Sequence, residues 1–340
     1  MKQIILIICL AALLSGCAKV QEYRRSDAAM GTIWDISLIA SDGKKAEKAA
    51  DEVFDEIKRL ESVMSLRNKE SELCRLNNAA GKGPVKVSDD ILKVLSVALK
   101  VSELSGGSFD VSIGPVVALW GFAGGKEENV PARSEIDAVH ALVGYKQIFV
   151  DSGKKEVTLK KKGMILDFGG IGKGYALDRA ALILSKYGLK NYMLSAGGQI
   201  LAAGRNFKGK PWRIGVRHPR NNEKLLTVLN ESGKCIATSG DYEHFFIKKN
   251  KIYHHIFNPA SSKPVSDTIS VTVVLDSGGT ELPNTLADAL STAVFVMGSK
   301  SGTALMNGIK GAESIVVSET EKGTGITVSE SLKNRIEIEY

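Results

Sequence analysis

Apolar residues recur by threes and fours at Ala46, Ala49, Val53, Ile57, Leu60 and Met64, which predicts an amphipathic helix over 44–64. A polar loop and short helix follow over 65–77. A second long helix is expected over 89–104, with Ser88 as its cap and Gly106-Gly107 as its stop. Period-two alternation marks strands at 33–39, 148–150, 156–159, 192–196, 199–203, 212–216, 225–229, 235–239, 245–247, 252–256 and 270–275. Short helices are expected over 135–143, 285–296 and from 302 to 308, and β structure returns at 314–317, 326–328 and 336–338. Strands outnumber helices and neighbour one another in sequence. The pattern therefore predicts an α+β fold, a largely antiparallel sheet with flanking helices, as one compact unit with two sub-lobes.

One stretch departs from simple periodicity. An apolar strand over 164–166 ends at Asp167 and runs through Gly169, Gly170, Gly172 and Gly174 into a helix over 175–187. That helix has Leu177, Ala180, Ala181 and Leu184 on one face and Gly188 as its cap. A helix start bared by glycines, with Lys173 beside it, suits a phosphate. It is not a Walker A loop, because Gly174 follows Lys173 where Ser or Thr is needed. It is not a G-x-G-x-x-G fingerprint either, because Tyr175 takes the place of the third glycine. The turn either packs a helix on a sheet or binds pyrophosphate in another way.

Asp288, Ser291 and Thr292 fall at i, i+3 and i+4, on one face of a helix. A carboxylate with hydroxyls is a set of hard oxygen ligands suited to Mg²⁺; the alternative is that Asp288 caps or faces solvent. His254 and His255 are adjacent on a strand, so at most one points inward. Thr238-Ser-Gly-Asp-Tyr-Glu243 offers hydroxyls and carboxylates in a tight turn, and no G-x-S-x-G nucleophile elbow is present.

Composition narrows the setting. The chain has 340 residues, 44% hydrophobic and 24% charged, which suffices for one large core or two fused ones. The formal charge of +7 comes from scattered lysines, and no arginine–aromatic interleaving points to nucleic acid. Residues 1–16 read as an export signal: Lys2, then an apolar stretch over 4–14 too short to span a bilayer. Leu14-Ser-Gly-Cys17 resembles a bacterial lipobox, which implies a diacylated Cys17, anchorage to a membrane and a cell-envelope location outside the cytoplasm. Residues 17–27 then read as the lipidated cysteine and a polar tether, and 28–340 as the functional domain. Cys74 and Cys235 remain, as a disulfide or as two buried thiols, and no Cys/His spacing suggests zinc.

Taken in order, several stretches resemble the ApbE family, the FAD:protein FMN transferases. They are Met30-Gly-Thr32, Ser71-Glu-Leu-Cys-Arg-Leu-Asn77, Ser108-Phe-Asp-Val-Ser-Ile-Gly-Pro115, Leu119-Trp-Gly-Phe122, Asp167-Phe-Gly-Gly-Ile-Gly-Lys-Gly-Tyr-Ala-Leu-Asp178, Ser195-Ala-Gly-Gly198, Ala237-Thr-Ser-Gly-Asp-Tyr242, His255-Ile-Phe-Asn-Pro259 and Ala287-Asp-Ala-Leu-Ser-Thr-Ala293. The resemblance implies a T-fold-like domain that binds FAD and Mg²⁺, transfers FMN to a Thr or Ser of an exported or membrane redox protein, and releases AMP. By the same resemblance, Asp288, Ser291, Thr292 and the Gly170 carbonyl would hold the metal. Met30, Ser108, Phe109, Asp110, Asp167, Lys173 and Phe257 would line the FAD site. His255, the histidine expected to face inward, or Asp288 would handle the proton. Where relatives often place an aromatic flavin neighbour, this chain has Arg67. It lacks the Asp-x-x-Ser/Thr-Gly-Ala-Thr stretch that the family modifies, so the acceptor is expected to be another protein. The competing expectations are a Mg²⁺-dependent FAD pyrophosphatase and a surface lipoprotein that binds FAD without turning it over.

Overall fold

Eight strands form one antiparallel sheet whose spatial order follows the order of the chain in a computed structural model that describes residues 19–124, 127–221, 223–321 and 323–338. They are β1 (Gln21–Ala29), β2 (Thr32–Ala40), β3 (Tyr192–Ala196), β4 (Gln199–Ala203), β5 (Lys234–Gly240), β6 (Thr268–Asp276), β7 (Ala312–Thr320) and β8 (Gly323–Val328). β1 and β2 join through a two-residue turn in which Met30 (φ +50°) and Gly31 (φ +73°) are both left-handed, the geometry that matches strand twist. This is the α+β, largely antiparallel architecture expected from the pattern.

The long excursions between strands carry the helices. α1 (Gly43–Met64), α2 (Asp89–Leu104) and α3 (Gly172–Lys186) come between β2 and β3, and α4 (Pro283–Asn307) comes between β6 and β7. α4 lies across β5, β6 and β7 on one face of the sheet, and α3 packs on both α4 and α1. Trp34, Ile36, Leu38, Val271 and Val273 meet Phe54, Ile57, Tyr175, Leu290 and Phe295 there in the main core. The hairpin Trp212–Arg217 with Leu225–Glu231 covers the other face, packing Trp212, Ile214 and Leu229 on Ile236, Val274 and Ile315. β6 is thus buried on both sides: its alternating Thr268, Ser270 and Thr272 are as buried as Ile269, Val271 and Val273. A small aromatic cluster around Trp120 and Phe257 forms an outlying lobe.

The structure departs from the pattern in four places. From Gln21 the expected tether is the edge strand β1; its polar, half-exposed residues are those of a charged sheet edge, and its Arg25 and Asp27 pair with Asp51 and Lys58 of α1. Residues 164–166 form no strand beyond a single bridge from Ile165 to Ile113. Instead the Asn77 side chain takes the place of a neighbouring strand: its Nδ2 donates to Leu166 C=O (3.0 Å) and its Oδ1 accepts from Leu166 N–H (2.8 Å). Residues 336–338 are irregular, tied down by Arg335 to Glu313 and Glu231 while Ile336 and Ile338 rest on the second core. The two C-terminal helices are one element interrupted at Gly298 (φ +75°). Cys74 and Cys235 are both free thiols, and burial pushes the Cys235 thiol well up. The expected signal over 1–16 and the acylated Cys17 lie outside the described residues.

Candidate functional site

α3 starts at Gly172, three residues earlier than its apolar face suggests, so Lys173 and Gly174 belong to its first turn. No side chain of its own caps it. The cap comes from α4: Gly174 N–H donates to Asp288 Oδ2 at 2.8 Å, satisfying one of the orphan donors of the helix start. The approach needs glycine, since a Cβ at Gly174 would lie 2.2 Å from the Asn284 carbonyl oxygen. α3 returns the service one turn later. The buried Asp178 accepts from Asn284 N–H and Nδ2 on Oδ1 (3.0 and 2.8 Å), and from Thr285 N–H and Oγ1 on Oδ2 (2.8 and 2.6 Å). Those are the second and third residues of α4, directly after Pro283. Each helix therefore caps the other, and this reciprocal clasp positions Asp288.

One turn along α4, the Ser291 Oγ donates to the Asp288 carbonyl at 2.8 Å and lies 2.8 Å from Ser239 Oγ at the end of β5. Ser239 Oγ is 3.4 Å from Thr292 Oγ1. Thr292 in turn faces Gly170: a Cβ there would sit 3.1 Å from Thr292 Oγ1 and 3.4 Å from the Phe109 ring. Gly170 is thus a bare cradle between a hydroxyl and an aromatic edge. Asp288 Oδ2 holds the Gly174 bond, which leaves Oδ1 for another partner, and the Thr292 hydroxyl borders the space beside Gly170. One carboxylate, hydroxyls and a backbone carbonyl are hard oxygen donors, and the set fits Mg²⁺ better than a softer ion. Among the described residues no three His, Cys, Asp or Glu side chains gather as a cation site, so a cation here would rely on hydroxyl and carbonyl donors as well. Ser291 is fully buried and already bonded on two sides, so it orients its neighbours.

Three ionisable groups feel Lys173. Burial pushes the carboxyls of Asp288 and Asp167 above the usual carboxylate range; the Lys173 ammonium and a backbone N–H, Gly174 for Asp288 and Gly169 for Asp167, act against it. Lys173 Nζ itself reaches the Gly169 carbonyl at 3.3 Å. Burial, with His244 close by and Lys173 adding to it, lowers the His255 imidazole to about 3. The His255 Nδ1 lies 3.2 Å from the His244 carbonyl, which can only accept, so Nδ1 carries the proton and Nε2 the lone pair. Of the two adjacent histidines it is His254 that enters the core, edge-on to Phe295, with Nε2 donating to Val265 C=O at 2.7 Å and Nδ1 accepting from Ile256 N–H. The inward position expected for His255 thus belongs to His254. His255 is half-buried, edge to face with His244 and near enough to Lys173 to feel its charge.

A pH prediction follows for His255. Its folded pKa lies below the unfolded value of 6.5, so between about pH 6.5 and 3 the unfolded chain takes up a proton that the folded chain refuses. Stability is full above that window and falls as pH drops through it. His255→Gln should therefore flatten the loss of urea midpoint between pH 7 and pH 5; equal losses in both proteins would contradict a ring held neutral in the folded chain.

The remaining expected site residues are distributed unevenly. Met30 sits in the β1–β2 turn at the same end of the sheet as Ser239, where a Cβ on Gly197 would touch Thr32 and Gly198 C=O accepts from Thr238 N–H. Ser108 is half-buried in the turn after α2, and Phe109 borders Gly170. The Asp110 carboxylate is fully engaged: Oδ1 accepts from Ser112 N–H and Oγ (2.8 and 2.7 Å), and Oδ2 from Tyr145 N–H (2.7 Å). It knits two loops together beside an open pocket lined by Gly107, Tyr145 and Pro259. The Phe257 ring is a core group, 5.8 Å from both Trp120 and Phe122. Two residues here carry roles the sequence did not reveal. Asp178 appears there only as the end of the glycine motif, and Ser239 only as one hydroxyl in a turn.

The sequence model of the ApbE family matches residues 30–316. A Vibrio cholerae protein named FAD:protein FMN transferase is 32% identical over 300 residues, covering 86% of this chain and 87% of its own. One of the same name from Haemophilus influenzae is 32% identical over 305 residues, covering 86% of each. Among solved structures, the flavin transferase ApbE from Vibrio cholerae superposes with a TM-score of 0.83 at 29% identity, over 93% of this chain and 99% of that one. The ApbE protein of Thermotoga maritima gives 0.82 at 33% identity, over 92% and 99%.

Proposed function

The chain belongs to the ApbE family, and from that premise we propose that it is a Mg²⁺-dependent FAD:protein FMN transferase anchored in the cell envelope. The observation that carries the reading is the clasp of α3 and α4, which aims Asp288 and Thr292 at a glycine-bared helix start beside Lys173. That geometry suits a Mg²⁺-bound pyrophosphate: a carboxylate and a hydroxyl able to hold the metal, a helix dipole and one ammonium come together at the start of α3.

In the reaction, a Thr or Ser hydroxyl oxygen of the acceptor bonds to the phosphorus of the FMN half. The bond from that phosphorus to the bridging oxygen breaks, and AMP leaves with the oxygen and its electron pair. Asp288, Thr292 and the Gly170 carbonyl would hold Mg²⁺, whose charge offsets the negative charge that builds on the pyrophosphate. Lys173 adds a second positive charge beside the helix start. The acceptor proton needs a base, and the neutral His255, with Nε2 unprotonated, suits it; bound pyrophosphate raises the proton affinity of the ring. Phe109 at the edge of Gly170 helps to keep water from the reacting phosphorus.

The lipobox-like Leu14-Ser-Gly-Cys17 supports a lipid on Cys17, and among the described residues no helix is long and apolar enough to cross a membrane. Cys17→Ala should move the protein to the soluble fraction; retention at the membrane would rule out that anchor. The proposed acceptor is an exported or membrane redox protein with an Asp-x-x-Ser/Thr-Gly-Ala-Thr segment. The deciding experiment incubates the purified protein, FAD and Mg²⁺ with an acceptor domain carrying that segment and weighs the acceptor. A gain of one FMN, absent with EDTA, is expected. Free FMN and AMP with an unmodified acceptor would make the protein a pyrophosphatase, and intact bound FAD would make it a binder.

A further inference from the structure

The excursion from β5 to β6 leaves the sheet at the site end and throws out a two-stranded hairpin, Phe245–Lys248 with Lys251–His254. Its base is the pair His244 and His255, whose rings meet edge to face at 5.4 Å. We propose that this hairpin is the docking arm for the acceptor protein, gripping an acidic surface that carries apolar side chains. The inference rests on the transferase reading and adds the partner's contact surface to it.

The two faces of the arm have different fates. Phe246 and Tyr253, paired across the strands, stack at 5.2 Å and pack on Phe122 and Trp120, each 5.7 Å away. This face anchors the arm to the aromatic lobe. The other face carries Phe245 and the cross-strand pair Ile247 and Ile252, which are 43%, 63% and 47% exposed. A lone two-stranded hairpin gains nothing from such residues in water, and β-branched or aromatic side chains left open in a row mark a contact surface.

Charge identifies the kind of partner. Lys248, Lys249 and Lys251 crowd the tip, and residues 244–255 contain no carboxylate. The turn itself holds Lys249 (φ +50°) and Asn250 (φ +58°) in left-handed conformations, where glycine and asparagine are usual and lysine is not. A cation is thus kept at the tip against local backbone preference. The complement is an acidic patch flanking the hydroxyl to be modified, with an apolar residue to cover the isoleucine pair. A membrane would offer negative charge too, but the described chain begins at the opposite end of β1, away from the arm. The arm borders the cleft, so a partner seated on it brings its own surface to His255.

The test uses the full chain in detergent and two double variants of exposed residues, Lys249→Glu with Lys251→Glu and Ile247→Ser with Ile252→Ser. Binding of the labelled acceptor domain is measured without FAD. The wild type should bind, and each pair should bind about tenfold more weakly. Affinity for FAD without acceptor should stay at the wild-type value. Equal affinity in wild type and variants, or no binding by the wild type, overturns the arm. So does loss of binding to phosphatidylglycerol-rich vesicles with acceptor affinity unchanged, which would make the hairpin a membrane contact. If the wild type binds through the arm yet transfers no FMN, the arm stands and the transferase reading falls.

Discussion

Asp288→Asn should cut Mg²⁺-dependent AMP release from FAD by about a thousandfold or more and leave the fold in place. Asp288 is the carboxylate that shares the start of α3 with Thr292 one turn along α4, and stabilising charge on a departing phosphate is the main demand of the chemistry. Losing it removes several kcal/mol of transition-state stabilisation, and each ~1.4 kcal/mol is a factor of ten. Asparagine keeps an acceptor for Gly174 N–H and nearly the same volume, so the α3–α4 contact survives. Asp288→Ala loses that bond as well and should cost a further 1–3 kcal/mol or so in stability. The measurement is AMP release against Mg²⁺ concentration, with a melting curve beside it. Wild-type turnover in the asparagine variant would remove Asp288 from the mechanism.

Asp178→Ala is expected to be the most damaging substitution for stability. It deletes the acceptor of four hydrogen bonds inside a buried helix interface and leaves two backbone N–H groups at the start of α4 unpaired. Loss of a cap together with stranded buried donors costs roughly 3–5 kcal/mol, or about 4–8 °C in melting temperature for a domain of this size. Asp178→Asn keeps acceptor capacity on one side but turns its amide donors toward the other pair of donors, and should fall between. Because Asp178 fixes the start of α4, the alanine variant should also bind Mg²⁺ more weakly at temperatures where it remains folded. Unaltered melting would show that the clasp contributes nothing, and the positioning of Asp288 would need another cause.

Much of the site was legible because its residues are close in sequence or irreplaceable. Asp288, Ser291 and Thr292 share a helix face by arithmetic, and the glycines of 169–174 stand out as a cluster, of which Gly170 would meet Thr292 and Gly174 would meet α4 with any Cβ. What spacing cannot reveal is pairing across a hundred residues. The bonds from Asp178 to Asn284 and Thr285 depend on how two helices cross, and the contact of Ser239 with Ser291 depends on the register of β5 beneath α4. Orientation was equally hidden. Asp110 and Phe257 carry the residue types expected of a binding site, yet Ser112 and Tyr145 take up the carboxylate of one and an aromatic cluster takes up the ring of the other. The misread elements follow one rule: periodicity reports burial and says nothing of hydrogen-bond partners. Residues 164–166 are buried without a strand because Asn77 supplies the bonds, and β1 is a strand without much burial because it is an edge.

Under the proposed lipid anchor, that edge strand would set the height at which the protein works. With the lipid proposed on Cys17, the link to Gln21 spans at most about 14 Å even fully stretched. From Gln21, the nine residues of β1 climb about 30 Å before the chain turns at Met30, level with the cleft. The leash is short and the mast is rigid. The cleft would ride some 30–45 Å above the bilayer, so the hydroxyls within its reach belong to domains that project well clear of the headgroups, and a residue flush with the membrane surface would pass beneath it unmodified.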